Sequence, residues 1–103
     1  MTVKTEIEFL VVQQPRDRNG DPQGASDFLF RVGPMEVTVK IYNSALMMGN
    51  GTTLPLDKQK IVAQAFLENE VEQWGAEHLP STVVMNENEM DIVFGRLGWP
   101  PRF

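Results

Sequence analysis

Three oxygen-bearing side chains alternate in the stretch DRNGDP, where Asp17, Asn19 and Asp21 have the spacing of the first ligands of a calcium loop. An EF-hand loop also needs a glycine at its sixth position and a bidentate glutamate at its twelfth. Counted from Asp17, those positions hold a proline and a phenylalanine. We therefore interpret residues 14–26 as a long loop rich in turn-forming residues, and we predict no metal site and no cofactor.

A second glycine-containing stretch, MGNGTT at residues 48–53, precedes a helical segment. Backbone amides freed by glycine at a helix N-terminus can bind phosphate. Here Leu54-Pro55-Leu56 intervenes before the helix and no Gly-Lys-Ser/Thr follows, so the P-loop pattern is absent. A turn around Asn50-Gly51 is the better interpretation.

Two residues are candidates for acid–base chemistry. His78 is the single histidine of the sequence, and histidine is the side chain whose ordinary pKa lies nearest neutrality. Glu70 lies within about 40° of an apolar helical stripe, where burial would require a partner or a raised pKa. Together they support one hypothesis, a small enzyme or ligand-binding domain with a cleft between a helix and a sheet. The chain has no cysteine, which excludes thiol nucleophiles and thiolate metal sites.

The distribution of charge favours a different function. The net charge is −5, and residues 61–95 contain no lysine or arginine. The acidic residues of that segment are Glu68, Glu70, Glu72, Glu77, Glu87, Glu89 and Asp91. Because lysine and arginine supply most nucleic-acid affinity, we predict no direct nucleic-acid binding. An acidic surface can instead attract a basic protein.

Our preferred hypothesis is that this is a small acidic, non-enzymatic protein that docks a macromolecular protein partner. A more specific version of this hypothesis is that it inhibits a basic partner. The candidate partner-binding residues are Glu68, Glu72, Glu77, Trp99 and Arg102. The glutamates supply charge, and tryptophan and arginine are enriched at interfaces. Closure of the core by Trp99 is the alternative for that residue. A homodimer formed through an exposed strand edge is another use of the surface.

Alternation of apolar and polar residues predicts three strands. The strand positions that share a face are Val3, Thr5, Ile7, Phe9 and Val11, then Phe28, Phe30 and Val32, then Val37, Val39 and Ile41. The pattern is broken in the first strand by Leu10 and Val12. Gly33-Pro34 predicts a hairpin between the second and third strands, so we expect an antiparallel meander.

A long helix is predicted over residues 57–74, with Asp57 as its N-cap and Gly75 just after its last turn. Its expected sheet-facing stripe consists of Leu56, Ala63, Phe66, Leu67, Val71 and Trp74. Residues 87–97 fit a short second helix, because Asn86 and Glu89 have capping-box spacing. Alternation of apolar residues leaves an edge strand as the alternative for the same segment.

The sequence thus predicts one α+β domain over residues 1–103. We expect an antiparallel sheet of three or four strands, covered on one face by one long helix, with a short C-terminal helix or strand. Residues 1–14 have the pattern of a strand and not of a signal peptide. No segment reaches the roughly 18 consecutive apolar residues of a membrane span. We therefore expect a cytoplasmic protein without membrane association.

Overall fold

The structure is a computed structural model that describes residues 6–14 and 24–102. Its elements in chain order are β1 (Ile7–Gln13), β2 (Ala25–Val32), β3 (Met35–Tyr42), α1 (Asn43–Leu46), α2 (Leu56–Trp74), β4 (Thr82–Met85) and α3 (Glu87–Leu97). A 3₁₀ turn, Ala76–His78, follows α2. The DRNGDP stretch lies outside the described residues.

The four strands form one mixed sheet in the order β1-β2-β3-β4. The first three strands are antiparallel, as the meander predicted, and Val32 pairs with Met35 across the Gly33-Pro34 turn. Gly33 has a φ of 59°, which glycine adopts without steric cost. β4 runs parallel to β3, because α2 carries the chain back along the sheet between these two strands. The α+β class is confirmed, and the fourth strand joins by a parallel crossover.

The broken alternation in β1 is a β-bulge. Phe9 pairs with Phe30 but Val11 pairs with Leu29, so Leu10 is an extra residue in the ladder. Beyond the bulge the two faces exchange, and Val12 packs on the core while Val11 is exposed. The prediction that Val11 shares a face with Phe9 was therefore wrong, because a bulge shifts side-chain alternation by one residue.

Both α2 and α3 pack on one face of the sheet. The fully or nearly buried sheet side chains are Phe28, Phe30, Val32, Val37, Val39, Ile41, Val83 and Met85. They form one core with Val62, Ala63, Phe66 and Leu67 of α2 and with Met90, Val93 and Phe94 of α3. Because the two helices share one face, they lie side by side and contact each other.

α2 ends where predicted, begins slightly earlier and buries most of its predicted stripe, since Ala63, Phe66 and Leu67 are buried and Val71 packs on the core. Pro55 occupies the N-cap position, and Asp57 lies within the first turn. Leu56 and Trp74, expected to face the sheet, are 48% and 61% exposed. At 100° per residue these two side chains lie on the same side of α2 as Ala63 and Leu67, which are fully buried. The physical reason for their exposure is that they are the first and last residues of the helix. Gln59 and Val62 widen the buried stripe beyond the predicted positions.

The helical alternative for residues 87–97 is confirmed, and the edge-strand alternative is wrong. Asn86 is the N-cap of α3, and its Oδ1 accepts a hydrogen bond from the Glu89 amide at 2.9 Å. Gly98 follows the last turn in the left-handed conformation. In the part of the chain that the structure describes, no helix combines the length and apolar character needed to cross a membrane.

Candidate interaction surface

A groove runs between the second half of α2 and the facing side of α3. Its lining residues are Phe66, Asn69, Glu70, Gln73 and Trp74 from α2 and Glu89, Ile92, Val93 and Arg96 from α3. Its volume is about 400 Å³. Two large apolar side chains, Trp74 and Ile92, are 61% and 49% exposed there. We call this feature the α2–α3 groove.

The groove brings together two carboxylates from different helices. Glu70 lies one turn after the buried Phe66, in line with the stripe that α2 turns toward its neighbours. Glu89 is placed by the cap of α3, since its amide binds the Asn86 side chain. Neither Glu70 nor Glu89 is fully exposed. The packing of α2 against α3 therefore holds two acidic groups near each other at partial burial.

This arrangement disfavours ionisation of one of the two groups. Partial burial raises the pKa of the Glu89 carboxyl above its ordinary value, and the nearby negative charge of Glu70 raises it further. A hydrogen bond from the Asn86 backbone opposes this increase in the pKa of Glu89. A cation bound in the groove would favour the ionised form of Glu89 and oppose this increase in its pKa.

The predicted partner-binding glutamates lie outside the groove. Glu68 and Glu72 are exposed on the outer side of α2, where Gln64 Nε2 donates to Glu68 Oε1 at 3.1 Å. The Glu77 side chain is 76% exposed in the 3₁₀ turn after α2. All three carboxylates are accessible to solvent. We use the name acidic helical side for Glu68, Glu72 and Glu77 together with the α2–α3 groove.

Trp99 closes part of the core. Its ring packs edge-on against Phe94, with 5.2 Å between centroids and planes at 82°. The Nζ of Lys58 lies 5.8 Å from the centroid of the Trp99 ring. Trp99 remains partly exposed, so the structure supports the core-closure interpretation and leaves only part of the ring for a partner.

Arg102, predicted as a partner contact, is turned into the protein. Its side chain is only 3% exposed, and its Nε donates to Asp91 Oδ1 at 2.9 Å. One terminal nitrogen donates to the carbonyls of Ala45 and Met47 at 2.8 and 3.2 Å, and the other donates to the carbonyl of Glu87. A guanidinium can satisfy several acceptors at once because its donors form a rigid planar fork. Arg102 therefore ties the C-terminal segment to α1 and α3, and its buried side chain offers no contact surface to a partner.

The glycine-containing loop at residues 48–53 is a hydrogen-bonded turn, as predicted. Asn50 Oδ1 accepts from the Thr52 amide at 3.1 Å, and Gly51 has a φ of 84°. The amides of Met48, Gly49 and Gly51 donate to carbonyls of Thr52, Arg102 and Met48. These bonds occupy the amides that a phosphate site would require.

The two candidates for acid–base chemistry are not brought together. The His78 side chain is 74% exposed, and its Nε2 lies 3.9 Å from Glu77 Oε1. Glu70 lines the groove between two helices and not a cleft between helix and sheet. Among the described residues, no group of three or more histidine or acidic side chains is placed to hold a metal ion.

Sequence reasoning missed the contributions of Glu89, Trp74 and Ile92 to the groove. Glu89 was noticed only as one acidic residue of its segment and as a capping residue, and Trp74 was assigned to the core. Only the nearness of Glu70 to the buried stripe pointed to the groove. The other lining residues depend on which sides of α2 and α3 face each other, and no local sequence pattern specifies how the two helices pack.

The chain was compared with protein-family models, curated proteins and solved structures, and no significant match was found. The role of the acidic helical side has therefore to be inferred from its geometry and charge.

Replacing Arg102 should destabilise the fold. Arg102→Ala leaves the carbonyls of Ala45 and Met47 without their charged donor, and we expect the free energy of unfolding to fall by about 3 kcal/mol. Urea denaturation measures it. Arg31→Ala is the matched control, because it removes an exposed arginine whose ion pair with Glu8 spans 3.5 Å. Arg31→Ala should lower the free energy of unfolding by at most about 1 kcal/mol. Equal losses of stability in the two variants would contradict a stabilising role for the buried Arg102 hydrogen bonds.

Glu89→Gln should stabilise the protein in a pH-dependent way. Because folding raises the pKa of Glu89, its ionisation costs stability at pH values above the folded pKa. The neutral glutamine avoids this cost, so the variant should have a larger free energy of unfolding than the parent at neutral pH. The difference should shrink as pH falls and vanish below the ordinary value of 4.5. Denaturation curves across this range measure it.

Glu87→Gln is the matched control, since Glu87 lies exposed in the same first turn of α3. We expect no gain in stability from that change. An equal gain in both variants, or a gain for Glu89→Gln that persists at acid pH, would show that ionisation of the partly buried Glu89 beside Glu70 is not the cause.

Proposed function

We propose that the protein is a non-enzymatic binding protein, which docks a basic segment of a partner protein on its acidic helical side. The observation that carries this proposal is the pair Glu70 and Glu89, two partly buried carboxylates that line the same α2–α3 groove, where burial and then the charge of Glu70 raise the pKa of Glu89. A lysine or arginine side chain entering the groove would relieve that repulsion. Charge complementarity of this kind speeds association and selects partners.

The apolar rim of the groove suits the same occupant. Trp74 and Ile92 are exposed on either helix beside the two carboxylates. Long basic side chains bury their aliphatic stems on apolar surface while their charged ends meet carboxylates, and a tryptophan face attracts cations. Tryptophan is also one of the residue types enriched at binding hot spots.

The groove keeps a negative balance despite one basic residue in its lining. Arg96 lines the groove together with Glu70 and Glu89, which leaves one negative charge in excess when both carboxyls are ionised. The outer glutamates Glu68 and Glu72 extend this charge along α2. We infer that a partner with several basic residues contacts the groove and the outer glutamates together. In its more specific version, this proposal is that the protein inhibits a basic partner in the cytoplasm by occupying the partner's functional surface.

The proposal is tested by capture of a partner from lysate of the source organism or its host. The tagged parent should retain one protein in stoichiometric amount, and retention should weaken as salt is raised. The variant Glu68→Lys, Glu72→Lys, Glu77→Lys should lose it, and so should Glu70→Gln with Glu89→Gln. The readout is mass spectrometry of the retained fraction.

A charge-matched variant provides the control. Glu6→Lys, Glu8→Lys and Glu36→Lys change the same number of exposed glutamates away from the helices and should retain the partner. Loss in both triple variants would indicate a dependence on net charge and would contradict a localised surface. Light scattering of the purified parent separates this function from self-association through the β1 or β4 edge.

A further inference from the structure

The sheet has a second face, opposite the one that α2 and α3 cover. Side chains alternate between the two faces, so the residues that lie between the core residues of each strand point away from the core. In the part of the chain that the structure describes, α1, α2 and α3 all add residues to the core, and none of them covers this second face. Val11, Tyr42 and Val84 lie on it and are 44%, 46% and 43% exposed. We call it the outer sheet face.

Four charged residues at the centre of the outer sheet face alternate in sign. Arg31 on β2 pairs with Glu36 on β3, and further along the same two strands Asp27 pairs with Lys40. Arg31 and Glu36 are exposed, and Asp27 and Lys40 are partly exposed. Like charges therefore lie on the diagonals, and the four charges sum to zero. We call these four residues the charge quartet.

The two cations of the quartet are not saturated by contacts within the chain. Arg31 contacts Glu8 at 3.5 Å, and Lys40 contacts Asp27 at 3.9 Å. Both contacts are long, and a guanidinium has five N–H donors while an ammonium has three. Donors of both side chains therefore remain for acceptors on another molecule.

The charge quartet is complementary to a second copy of itself. When two copies face each other across a two-fold axis in the plane between the sheets, the axis exchanges either the two strands or the two rows of the quartet. If the strands are exchanged, Arg31 meets Glu36 of the second copy, and Asp27 meets Lys40. If the rows are exchanged, Arg31 meets Asp27, and Glu36 meets Lys40. Each charge faces its opposite in both arrangements, whereas a surface with charge of a single sign would match only half of the quartet.

The residues between the two charged rows are uncharged. Leu29 pairs with Thr38 across β2 and β3, and the same level of the sheet holds Val11 on β1 and Thr82 on β4. A strip of this kind packs against its own copy without burying an unpaired charge. Two sheets packed face to face, about 10 Å apart, make such a contact.

We propose that the outer sheet face binds a second copy of this chain and forms a symmetric dimer in which the two charge quartets meet. The interface consists of one small sheet face from each copy, so we expect dissociation in the micromolar range. The acidic helical side lies across the sheet from this interface, because α2 and α3 pack on the core face. The dimer therefore leaves both acidic helical sides accessible, and it forms whether or not they bind a basic partner.

Sedimentation equilibrium of the full chain, from micromolar to millimolar concentration, tests the proposal. The parent should dimerise, and raised salt should weaken the dimer. Arg31→Glu, Glu36→Arg and Lys40→Glu each bring like charges together in either arrangement, so each should weaken dimerisation at least about tenfold. Glu87→Arg, a matched charge change on α3, is the control and should dimerise as the parent does. A parent that is monomeric at millimolar concentration, or an equal loss in the control, would overturn the proposal.

Mixtures of the variants test the contact itself. Arg31→Glu mixed with Glu36→Arg restores opposite charges if the strands are exchanged, and Glu36→Arg mixed with Lys40→Glu restores them if the rows are exchanged. One of the two mixtures should recover a mixed dimer, which native mass spectrometry detects when one variant carries ¹⁵N. Recovery in neither mixture, with all variants folded by circular dichroism, would overturn the proposal.

The parent alone decides the matter if a variant fails to fold. Its backbone amide signals on β2 and β3 should shift with protein concentration in NMR spectra. These are the two central strands of the sheet, so a dimer formed through the β1 or β4 edge would shift other signals. Concentration-dependent shifts confined to an edge strand or to the helices would overturn the proposal.

Discussion

Burial of a single apolar sheet face against two helices organises this molecule. Phe28, Phe30 and Val39 lie at the centre of that face, and α2 and α3 both cover it. Because the helices share the face, each must also bury part of its side against the other. A groove between them follows from this geometry. The acidic sequence of both helices then determines what the groove contains, which is why Glu70 and Glu89 meet there.

Three basic residues outside the groove, Lys58, Lys60 and Arg102, make contacts within the chain itself. Arg102 ties the C-terminal segment to α1 and α3 through carbonyls and Asp91. Lys58 and Lys60 lie over the rings of Trp99 and Phe9, at 5.8 and 4.3 Å from their centroids. These contacts hold positive charge at the start of α2 and at the C-terminal segment. The second half of α2 and the start of α3 are left acidic. The acidic segment of the sequence therefore forms an acidic region of the surface.

Local sequence signals specified most of the elements but not how they meet. The alternation of β2 and β3, the Gly33-Pro34 turn and the Asn86 cap are decided by neighbouring residues, and each was predicted correctly. The bulge in β1 depends on its pairing with β2. The parallel pairing of β4 depends on the path of the chain across the sheet. The burial of Arg102 depends on carbonyls more than fifty residues away, at Ala45 and Met47, which no periodicity reveals.

The most direct test of the central claim is to map where a basic chain contacts this protein. NMR titration of the labelled protein with a short arginine-rich peptide, at low salt and again at physiological salt, would give that map. We expect chemical-shift changes concentrated at Glu70, Trp74, Glu89 and Ile92, with the Trp74 indole among the most affected signals. Shifts centred on the uncovered face of the sheet, or spread evenly over all exposed glutamates, would contradict it.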